Sequence, residues 1–346
     1  MVLLSNYKKY KNTKQMIRLA TTVNNAFNEF MKNTINLDPD DTKTARTSRD
    51  NLIENINAFT GDSDFFRIYK DRNLKFGSFA RNTKKRPLDD VDLIICICAD
   101  GRTYLESTDC IYITGNEDDS TNSLLVDGTN HLNSKKVINR FKSKLSKLSD
   151  YRKAELHRNQ EAVTLQLKSY TWNFDIVPCF YTTGDVYLIP DGDGNWKKTD
   201  PRMDNDKTSN VNQQHNGNLL PLIRLMKYWN SRKVTLTIPS YLLECMILNI
   251  YDGMKTPDNW WIDIQFKNLL NHLSLAILND VDDPKGVQGN LNLFTSNERA
   301  NISNALDLAY KKATDARTLE QAEDQKGAIK KWREVFGDAF PEYTGD

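Results

Sequence analysis

The sequence lacks several features that would place a protein directly in a large functional class. No apolar run approaches the roughly 20 residues that a membrane-spanning helix needs, and the apolar part of the N-terminus is too short for a secretion signal. The formal net charge is only +1, so the whole chain has no strong attraction to nucleic acid or to an anionic membrane. These absences predict a cytoplasmic protein that does not act at a membrane.

Cysteine and histidine are also scarce, with five and four residues respectively. The histidines are scattered along the chain, so no spacing typical of a zinc site is present. Most of the cysteines lie in apolar stretches, which is typical of reduced thiols in the core of a cytosolic protein. The 39% share of hydrophobic residues is enough for the core of one large domain or of two lobes.

The most informative stretch is residues 75–98. Gly77 and Ser78 are predicted in a tight turn, where glycine lets the backbone approach a phosphate and serine adds a hydroxyl donor. Asp90 and Asp92 begin a β-branched run that predicts a buried strand, and alternate residues of a strand share a face. Two neighbouring carboxylates are unfavourable without a cation, and oxygen ligands of this kind favour Mg²⁺.

A second apolar strand, predicted over residues 173–180, carries Asp175 in its middle. An aspartate surrounded by Phe, Ile and Val is unfavourable unless it is paired or binds a metal. Three carboxylates around two divalent ions are sufficient for in-line phosphoryl or nucleotidyl transfer. Asp-x-Asp alone also occurs in solvated turns, so the interpretation depends on the combination with Gly77-Ser78 and Asp175. Asp89 would face away from the other acids, and we do not expect it to be a ligand.

The remaining secondary structure follows from hydrophobic periodicity and from the positions of glycine and proline. Helices are predicted over residues 14–36, 41–60, 134–149, 218–231, 240–252, 259–278, 297–314 and 318–336. Residues 188–217 are rich in Gly, Pro, Asp and Asn, and we predict a loop there that separates two lobes. Two domains are therefore expected, a catalytic lobe with N-terminal helices (1–210) and a helical lobe (211–346).

The spacing of the glycine-serine pair and the three aspartates resembles the DNA polymerase β-like nucleotidyltransferase superfamily. Within it, the chain is similar to bacterial CD-NTases, the enzymes related to cyclic GMP-AMP synthase and DncV. The motifs that carry this closer resemblance are Gly77-Ser78-Phe-Ala-Arg81-Asn-Thr83, Asp90-Val-Asp92-Leu, Phe174-Asp175-Ile-Val-Pro178, Tyr187-Leu-Ile-Pro190, Lys227-Tyr-Trp-Asn230, Pro239-Ser-Tyr-Leu-Leu-Glu244 and Trp332-Arg-x-x-Phe-Gly-Asp338. The resemblance extends from about residue 60 to the C-terminus, and the helical motifs after residue 220 are the ones that narrow the family.

The resemblance implies an α+β fold, with a two-lobed polymerase β-like nucleotidyltransferase core, built as a mixed sheet with flanking helices, and a C-terminal helical lobe. It implies that the catalytic residues, which also bind two Mg²⁺ ions or Mn²⁺ in their place, are Asp90, Asp92 and Asp175. It further implies a nucleotide-binding set made of Gly77, Ser78, Lys227, Ser240 and Tyr241. In that set Lys227 and Ser240 contact phosphate, and Tyr241 stacks on the nucleobase.

By the same resemblance, the protein is a Mg-dependent nucleotidyltransferase that joins ATP, GTP or both into a cyclic di- or trinucleotide. Pyrimidine nucleotides are further candidate substrates. Such products are second messengers in bacterial anti-phage defence of the CBASS type. We expect a monomer that needs no nucleic-acid activator and that is a candidate for control by a regulatory protein partner.

Two other functions stay open at this stage. One is an enzyme like oligoadenylate synthetase, which makes linear oligonucleotides under the control of double-stranded RNA. The near-neutral charge argues against it. The other is an inactive nucleotide-binding interaction protein, against which the intact set of three aspartates argues.

Some residues of the catalytic lobe also have a purely structural interpretation. Ser78 could cap a helix that starts at Phe79, and the basic run 81–86 is more often a solvated loop than a triphosphate site. The basic helix 134–149 resembles the nucleic-acid-binding helix of sensors of double-stranded nucleic acid. A solvated charged face explains this helix as well, and we favour that interpretation.

The residues of the later motifs have structural alternatives too. Lys227 could extend to solvent from a core-facing helix, and Ser240 with Tyr241 could be a helix cap followed by a core aromatic residue. We expect Glu244 to be structural. Trp196 could shape an acceptor pocket or serve as a packing anchor, and the sequence does not separate the two.

Overall fold

The computed structural model describes residues 19–61, 64–115, 122–232 and 234–345. Within them the chain folds into a mixed β-sheet with flanking helices and a bundle of further helices, which confirms the predicted α+β architecture. In these residues no helix is both long enough and apolar enough to cross a bilayer. Residues 14–18 of the first predicted helix lie outside the described residues.

The strands are β1 (Leu19–Ala20), β2 (Leu74–Phe76), β3 (Asp90–Ile97), β4 (Tyr104–Glu106), β5 (Ile111–Ile113), β6 (Glu155–Asn159), β7 (Ala162–Gln166), β8 (Asn173–Tyr181), β9 (Tyr187–Pro190), β10 (Trp196–Thr199) and β11 (Glu342–Tyr343). The α-helices are α1 (Val23–Phe30), α2 (Pro39–Asn57), α3 (Gly77–Ala80), α4 (Ser134–Ser146), α5 (Pro201–Gln214), α6 (Leu219–Ser231), α7 (Ser240–Tyr251), α8 (Ile262–Ala276), α9 (Ser296–Gln321) and α10 (Gln325–Phe336). A π-helical turn, Met31–Ile35, continues α1.

The sheet lobe is built on one sheet with the strand order β2-β3-β8-β9-β10-β5-β4, in which β7 also pairs with β8 and β6 with β7. Strands β3 and β8 run parallel along their length, and residues on both of their faces are buried. On one face Leu93 and Ile95 join a core that includes α2 and α4, and on the other Cys96 packs with Cys179. This burial on both sides explains why β3 is a nearly continuous apolar run.

The helical lobe contains α1 and α5–α10 around a second hydrophobic core. This core contains a group of aromatic rings in edge-to-face, tilted and stacked contacts, formed by Phe27, Phe30, Trp332, Phe336 and Phe340. Strand β1 pairs in parallel with β11, so both ends of the described chain meet in this lobe. The first helix thus packs with the C-terminal helices. The division at residue 210, which lies inside α5, stays a prediction.

The prediction of a loop over residues 188–217 was wrong, because this segment contains β9, β10 and α5. Asp200 caps α5 by accepting a hydrogen bond from the backbone N–H of Arg202, and Pro201 occupies the first helical turn. An Asp-Pro pair is a helix start as well as a turn signal, and composition alone favoured the turn. Trp196 in β10 is fully buried and donates its indole N–H to the Leu132 carbonyl at 2.9 Å, so it is a packing anchor.

The predicted helix break near residues 314–318 was also wrong. Helix α9 runs without interruption from Ser296 to Gln321. The hydroxyls of Thr314 and Thr318 donate to backbone carbonyls four residues earlier, at 2.9 and 3.1 Å, so these residues are accommodated inside the helix. At the N-terminus, by contrast, residues 19–20 form β1 where a helix was predicted.

Candidate active site

The two strands at the centre of the sheet lobe bring two of the predicted carboxylates together. Asp92 of β3 and Asp175 of β8 are direct partners in the parallel register, and Asp90 precedes Asp92 by two residues on the same strand. Neighbouring strands lie about 4.8 Å apart, and alternate residues of a strand share a face. The structure therefore places Asp92 and Asp175 side by side on two interior strands, with Asp90 at the start of β3 two residues before Asp92.

The turn at Gly77 lies directly against Asp92 of this carboxylate pair. Phe76, the last residue of β2, is the antiparallel partner of Asp92, so the chain turns immediately beside that side chain. Gly77 has a φ of +75°, and a Cβ at this position would lie 1.7 Å from Oδ2 of Asp92. Only glycine satisfies both conditions, because a side chain would be strained by the backbone and would displace the carboxylate.

The loop after the turn is held by the backbone of Ser78. Its carbonyl accepts hydrogen bonds from the backbone N–H groups of Thr83 at 2.9 Å and Lys84 at 3.1 Å. The short helix α3 starts at Gly77 with Phe76 as its N-cap residue and has no side-chain cap. Ser78 therefore lies inside the first turn, and its alternative interpretation as a cap was wrong.

A lysine lies between the acids that begin β3. The ammonium of Lys84 is 2.7 Å from Oδ1 of Asp90 and also contacts Asp89. Its side chain is only 13% exposed, so the favoured interpretation of the basic run as a solvated loop was wrong at this residue. Asp89 is exposed, with 64% of its side chain accessible, and lies outside the carboxylate pair, as expected.

Burial and mutual repulsion raise the proton affinity of the acids. Burial first, and then the charges of Asp90 and Asp175, raise the pKa of Asp92 from 3.8 to about 7. Burial also raises the pKa of Asp175, although Oδ1 of this residue accepts a hydrogen bond from the hydroxyl of Thr164 at 2.6 Å, which lowers it. Carboxylates that are this close and this buried are stabilised in their charged form by a cation.

The donor set fits a divalent metal ion of the oxygen-binding kind. All three side chains are carboxylates, the ligands that Mg²⁺ and Mn²⁺ prefer in proteins. In the described residues no three acidic, histidine or cysteine side chains converge as a metal-binding group. Lys84 contacts Asp90, and Thr164 contacts Asp175. The metal-binding role of these aspartates therefore stays a prediction, supported by their electrostatics.

A buried ion cluster connects the two lobes behind the Gly77 turn. Arg81 follows α3 in the sheet lobe and donates to Oε2 of Glu244 at 3.1 Å, while Lys227 of α6 contacts the other oxygen of Glu244. All three side chains are less than a tenth exposed. Lys227 therefore does not extend to solvent, and Arg81 is not part of a solvated loop.

The electrostatics of this cluster show a tightly held ion group. Burial is the main reason that the pKa of Lys227 lies below its usual value, although Glu244 opposes the shift. Burial alone would raise the pKa of Glu244, but Arg81 and Lys227 together hold it below its usual range. Glu244 is thus structural, as expected, and it positions a predicted phosphate-binding lysine.

Ser240 and Tyr241 begin α7 next to this cluster. Pro239 is the N-cap residue and Ser240 is exposed at the first helical position, so the interpretation of Ser240 as the cap was wrong. The ring of Tyr241 is partly buried against the helical core, and its hydroxyl reaches the carboxylates of Asp204 at 2.7 Å and Asp283 at 2.9 Å. Part of the Tyr241 ring remains accessible to solvent, so it could stack on a nucleobase as predicted. This role stays a prediction.

The basic face of α4 is largely neutralised by acids from neighbouring segments. The ion pairs join Lys135 to Asp193, Lys136 to Asp127, and both Lys144 and Lys147 to Asp64. Pairing of this kind leaves fewer cations available for a polyanion. The absence of an activating nucleic acid stays a prediction.

Sequence reasoning missed the partners that hold the predicted residues in place. Thr164, Asp204, Asp283 and Lys285 contact Asp175 or Tyr241 from other elements of the chain. No local pattern distinguishes them, because each contact depends on strand register or on loop packing.

Two family models match the chain. The Second Messenger Oligonucleotide or Dinucleotide Synthetase domain matches residues 112–212, and the cGAS/DncV-like nucleotidyltransferase C-terminal helical domain matches residues 206–315. Asp175 lies in the first matched range and Lys227 in the second, whereas Gly77 and Asp92 precede both.

Curated relatives and solved structures agree with these matches. A probable cyclic nucleotide synthase of Bacillus cereus (strain VD146) is 40% identical over 94% of this chain and 99% of its own length. A cyclic AMP-AMP-AMP synthase of Acinetobacter sp. is 26% identical over 81% of this chain and 75% of its own.

Among solved structures, CdnC from Escherichia coli MS115-1 with ATP has a TM-score of 0.67 at 16% identity, over 91% of this chain and 98% of the other. The DncV cyclic AMP-GMP synthase of Vibrio cholerae has a TM-score of 0.56 at 16% identity, over 78% and 70%. These two likenesses concern the fold, and the predicted two-lobed fold is confirmed. The Bacillus relative and the two family models show that the chain belongs to the CD-NTases, the cGAS/DncV-like family of nucleotidyltransferases and cyclic nucleotide synthases.

Proposed function

We propose that the protein joins nucleoside triphosphates into a cyclic oligonucleotide. The observation that carries this proposal is the pairing of Asp92 with Asp175 on adjacent parallel strands, directly against the Gly77 turn. A bare glycine backbone lets a phosphate approach, and the carboxylates supply the ligands for the cation that a triphosphate needs. The family membership adds the reaction type, which the geometry by itself does not specify.

In this proposal each residue of the site has one role. Asp90, Asp92 and Asp175 would hold two Mg²⁺ ions or Mn²⁺, which neutralise the triphosphate and lower the pKa of the acceptor hydroxyl when bound. The turn at Gly77 and Ser78 presents backbone and hydroxyl donors to the donor phosphates. The acceptor oxygen then attacks the α-phosphorus in line, and pyrophosphate leaves.

The helical lobe supplies the other half of the nucleotide site. Lys227 and Ser240 lie on α6 and α7 and donate to phosphate, while the accessible part of Tyr241 stacks on a base. Positioning and charge neutralisation account for most of the catalysis expected of such a site. The buried pair of Lys227 with Glu244 fixes the ammonium before the nucleotide arrives.

The relatives indicate which substrates to test first. Structures are known of CdnC with ATP and of DncV proteins with 3′-deoxy ATP and 3′-deoxy GTP, and one relative is a cyclic AMP-AMP-AMP synthase. We propose ATP as a substrate, alone or with GTP. A complex of CdnC with HORMA-deltaN is also known, which supports a regulatory protein partner as part of the proposal. A role in anti-phage signalling is proposed on family membership alone.

The test is to identify the product. The purified protein is incubated with Mg²⁺ and labelled nucleoside triphosphates, singly and in pairs, and the products are treated with phosphatase and analysed by mass. A phosphatase-resistant oligonucleotide without free terminal phosphates is expected. Products that lose 5′-terminal phosphates on phosphatase treatment would indicate a linear-chain synthetase, and no product under any combination would contradict the proposal.

A further inference from the structure

A second buried polar cluster surrounds the hydroxyl of Tyr241. The cluster joins Asp204 of α5, Tyr241 of α7, and Asp283 with Lys285 from the loop between α8 and α9. The side chains of Asp204, Asp283 and Lys285 are 11%, 0% and 4% exposed. Charged groups this buried are costly unless every one of them is paired, so the arrangement is specific.

Lys285 makes the central contacts of this cluster. Its ammonium is 3.0 Å from Oδ1 of Asp283 and 3.3 Å from Oδ2 of Asp204, and it donates to the hydroxyl of Tyr241. It also lies 4.1 Å from the centroid of the Tyr241 ring, on its face. A cation in this position is attracted to the ring and covers that face of it.

The loop that carries Lys285 is itself fixed. Oδ2 of Asp283 accepts hydrogen bonds from the backbone N–H groups of Val287 at 3.2 Å and Gln288 at 3.1 Å. The loop closes through a bond from the backbone N–H of Asp283 to the carbonyl of Gly289 at 2.8 Å. Lys285 is therefore presented by a rigid segment and not by a free surface loop.

The cluster lies close to the candidate active site. Asn205, the residue after Asp204, donates to the carbonyl of Lys75 in β2 at 3.3 Å, and β2 leads directly into Gly77. Burial alone would lower the pKa of Arg81, but Glu244, followed by Asp204 and Tyr241, raises it, which places Arg81 near both clusters. The contacts of Tyr241 are thus set beside the groups proposed to bind the nucleotide.

The two clusters are balanced in charge. Arg81, Lys227 and Lys285 supply three positive charges, and three carboxylates oppose them, those of Glu244, Asp204 and Asp283. Removing one member leaves an uncompensated buried charge, whereas removing an acid and a base together keeps the balance. This property makes a matched test possible.

We propose that Lys285 is a positioning residue for the nucleobase: it fixes the hydroxyl and one face of Tyr241 so that the remaining ring surface is held ready to stack on a base. This rests on the proposed nucleotide-binding role of Tyr241. Fixing the ring in advance removes the entropy that a mobile side chain would lose on binding. Lys285 acts through Tyr241 and does not itself contact the nucleotide.

The test uses Lys285→Met together with Asp204→Asn, which keeps the charge balance and leaves an amide oxygen for the Tyr241 hydroxyl. The probe is α,β-methylene-ATP, which binds as a triphosphate but cannot release pyrophosphate. We expect this double variant to melt near the wild-type temperature and to bind the probe about fivefold more weakly, the scale of ordering one side chain. With ATP as substrate, KM is expected to rise by a similar factor, with kcat nearly unchanged.

The same pair of changes in a Tyr241→Ala background is the decisive control. If Lys285 acts through the ring, the added changes do not alter the affinity for the probe. Two results would overturn the proposal. One is a folded double variant that binds α,β-methylene-ATP as tightly as the wild type does. The other is a double change that weakens binding by the same factor in the wild-type and in the Tyr241→Ala background.

Tyr241→Phe, which keeps every charge of the cluster, is a second probe if the double variant does not fold. A small rise in the dissociation constant of α,β-methylene-ATP is expected, and unchanged affinity would overturn the anchoring of the hydroxyl. A wild-type protein that binds the probe but forms no product would refute the proposed function and leave this measurement interpretable.

Discussion

At the scale of single residues, the candidate site contains two aspartates that the sheet holds side by side, although their negative charges repel each other. Asp92 and Asp175 are register partners, and each is surrounded by apolar residues of β3 and β8. Repulsion between them is relieved by protonation or by a cation. Metal binding therefore requires both carboxylates to be charged, whereas the stability of the metal-free fold is greater when one of them is protonated.

Replacing either acid of the pair is expected to abolish nucleotidyl transfer and to spare the fold. Activity of Asp92→Asn or Asp175→Asn should fall by roughly three orders of magnitude, as for other groups that stabilise developing charge. The melting temperature without metal should stay equal or rise, because repulsion is removed. The matched control is Asp89→Asn, an exposed neighbour that is expected to retain activity. Near-wild-type turnover in either pair variant would refute its role.

Asp92 is also expected to make the stability of the metal-free protein depend on pH. Burial, followed by the charges of Asp90 and Asp175, raises its pKa from 3.8 to about 7 in the folded protein. Between these values the folded protein holds a proton that the unfolded chain has released, so the free energy of unfolding falls as the pH rises. Mg²⁺ needs the deprotonated acid, so its stabilising effect should grow over the same interval.

Melting curves between pH 5 and 8, roughly the interval in which Asp92 deprotonates, test this directly. Wild-type protein in chelator should lose stability toward the upper end, and the gain caused by Mg²⁺ should increase there. Asp92→Asn should flatten both trends. An Asp92→Asn protein with the same pH dependence as wild type would show that another group titrates.

At the scale of elements, the turn between β2 and α3 is the part of the proposed site that would limit how closely a phosphate can approach. Gly77 combines a left-handed backbone with direct contact to Asp92, and Ser78 holds the following loop through its carbonyl. The turn is therefore part of the site and not a connection alone.

Gly77→Ala is expected to inactivate the enzyme as well as strain it. Gly101 offers a matched control, because it also has a positive φ, +82°, but a Cβ there meets nothing within 4 Å. Both alanine variants should lose roughly 1–3 kcal/mol of stability from backbone strain. Only Gly77→Ala should also lose activity and the Mg²⁺-dependent rise in melting temperature. Equal activity in the two variants would contradict the close approach.

Helix α4 provides the second prediction at this scale. Nuclease-treated protein is expected to be active without added DNA or RNA. The triple charge reversal of Lys142, Lys144 and Lys147 should keep activity within about threefold, since Asp64, the partner of Lys144 and Lys147, is 59% exposed and ion pairs with exposed acids contribute little. If the triple variant binds nucleotide and Mg²⁺ normally but makes no product, α4 is an activator or partner site.

The elements of the site differ in how far sequence could define them. Gly77, Asp90 and Asp92 were predicted from strand alternation and short spacing, and Asp175 from an acid inside an apolar strand, all of which are local properties. Their functional roles stay predictions. Thr164 and Lys285 were not predicted, because their contacts depend on the register of β7 with β8 and on a loop folded against α7. The start of α5 was misread because Asp-Pro serves both turns and helix starts.

At the scale of the whole molecule, the proposed substrate site is divided between two lobes with separate hydrophobic cores. The sheet lobe holds the acids and the Gly77 turn, and the helical lobe holds Lys227 and Tyr241. Arg81 crosses between the lobes and pairs with Glu244, so one buried ion pair helps to set their relative position. The helices of the helical lobe were predictable from hydrophobic periodicity. That α1 packs in this lobe was not, because this contact depends on tertiary packing between distant parts of the chain.

The ratio of pyrophosphate released to nucleoside triphosphate consumed distinguishes a cyclic product from a linear one. Closing a ring forms one phosphodiester bond for every nucleotide incorporated, whereas a linear chain forms one fewer. The account predicts one pyrophosphate for each triphosphate consumed by the wild-type protein with Mg²⁺, and none above background for Asp175→Asn. A clearly lower ratio for the wild type would contradict ring closure, and no release at all would contradict nucleotidyl transfer itself.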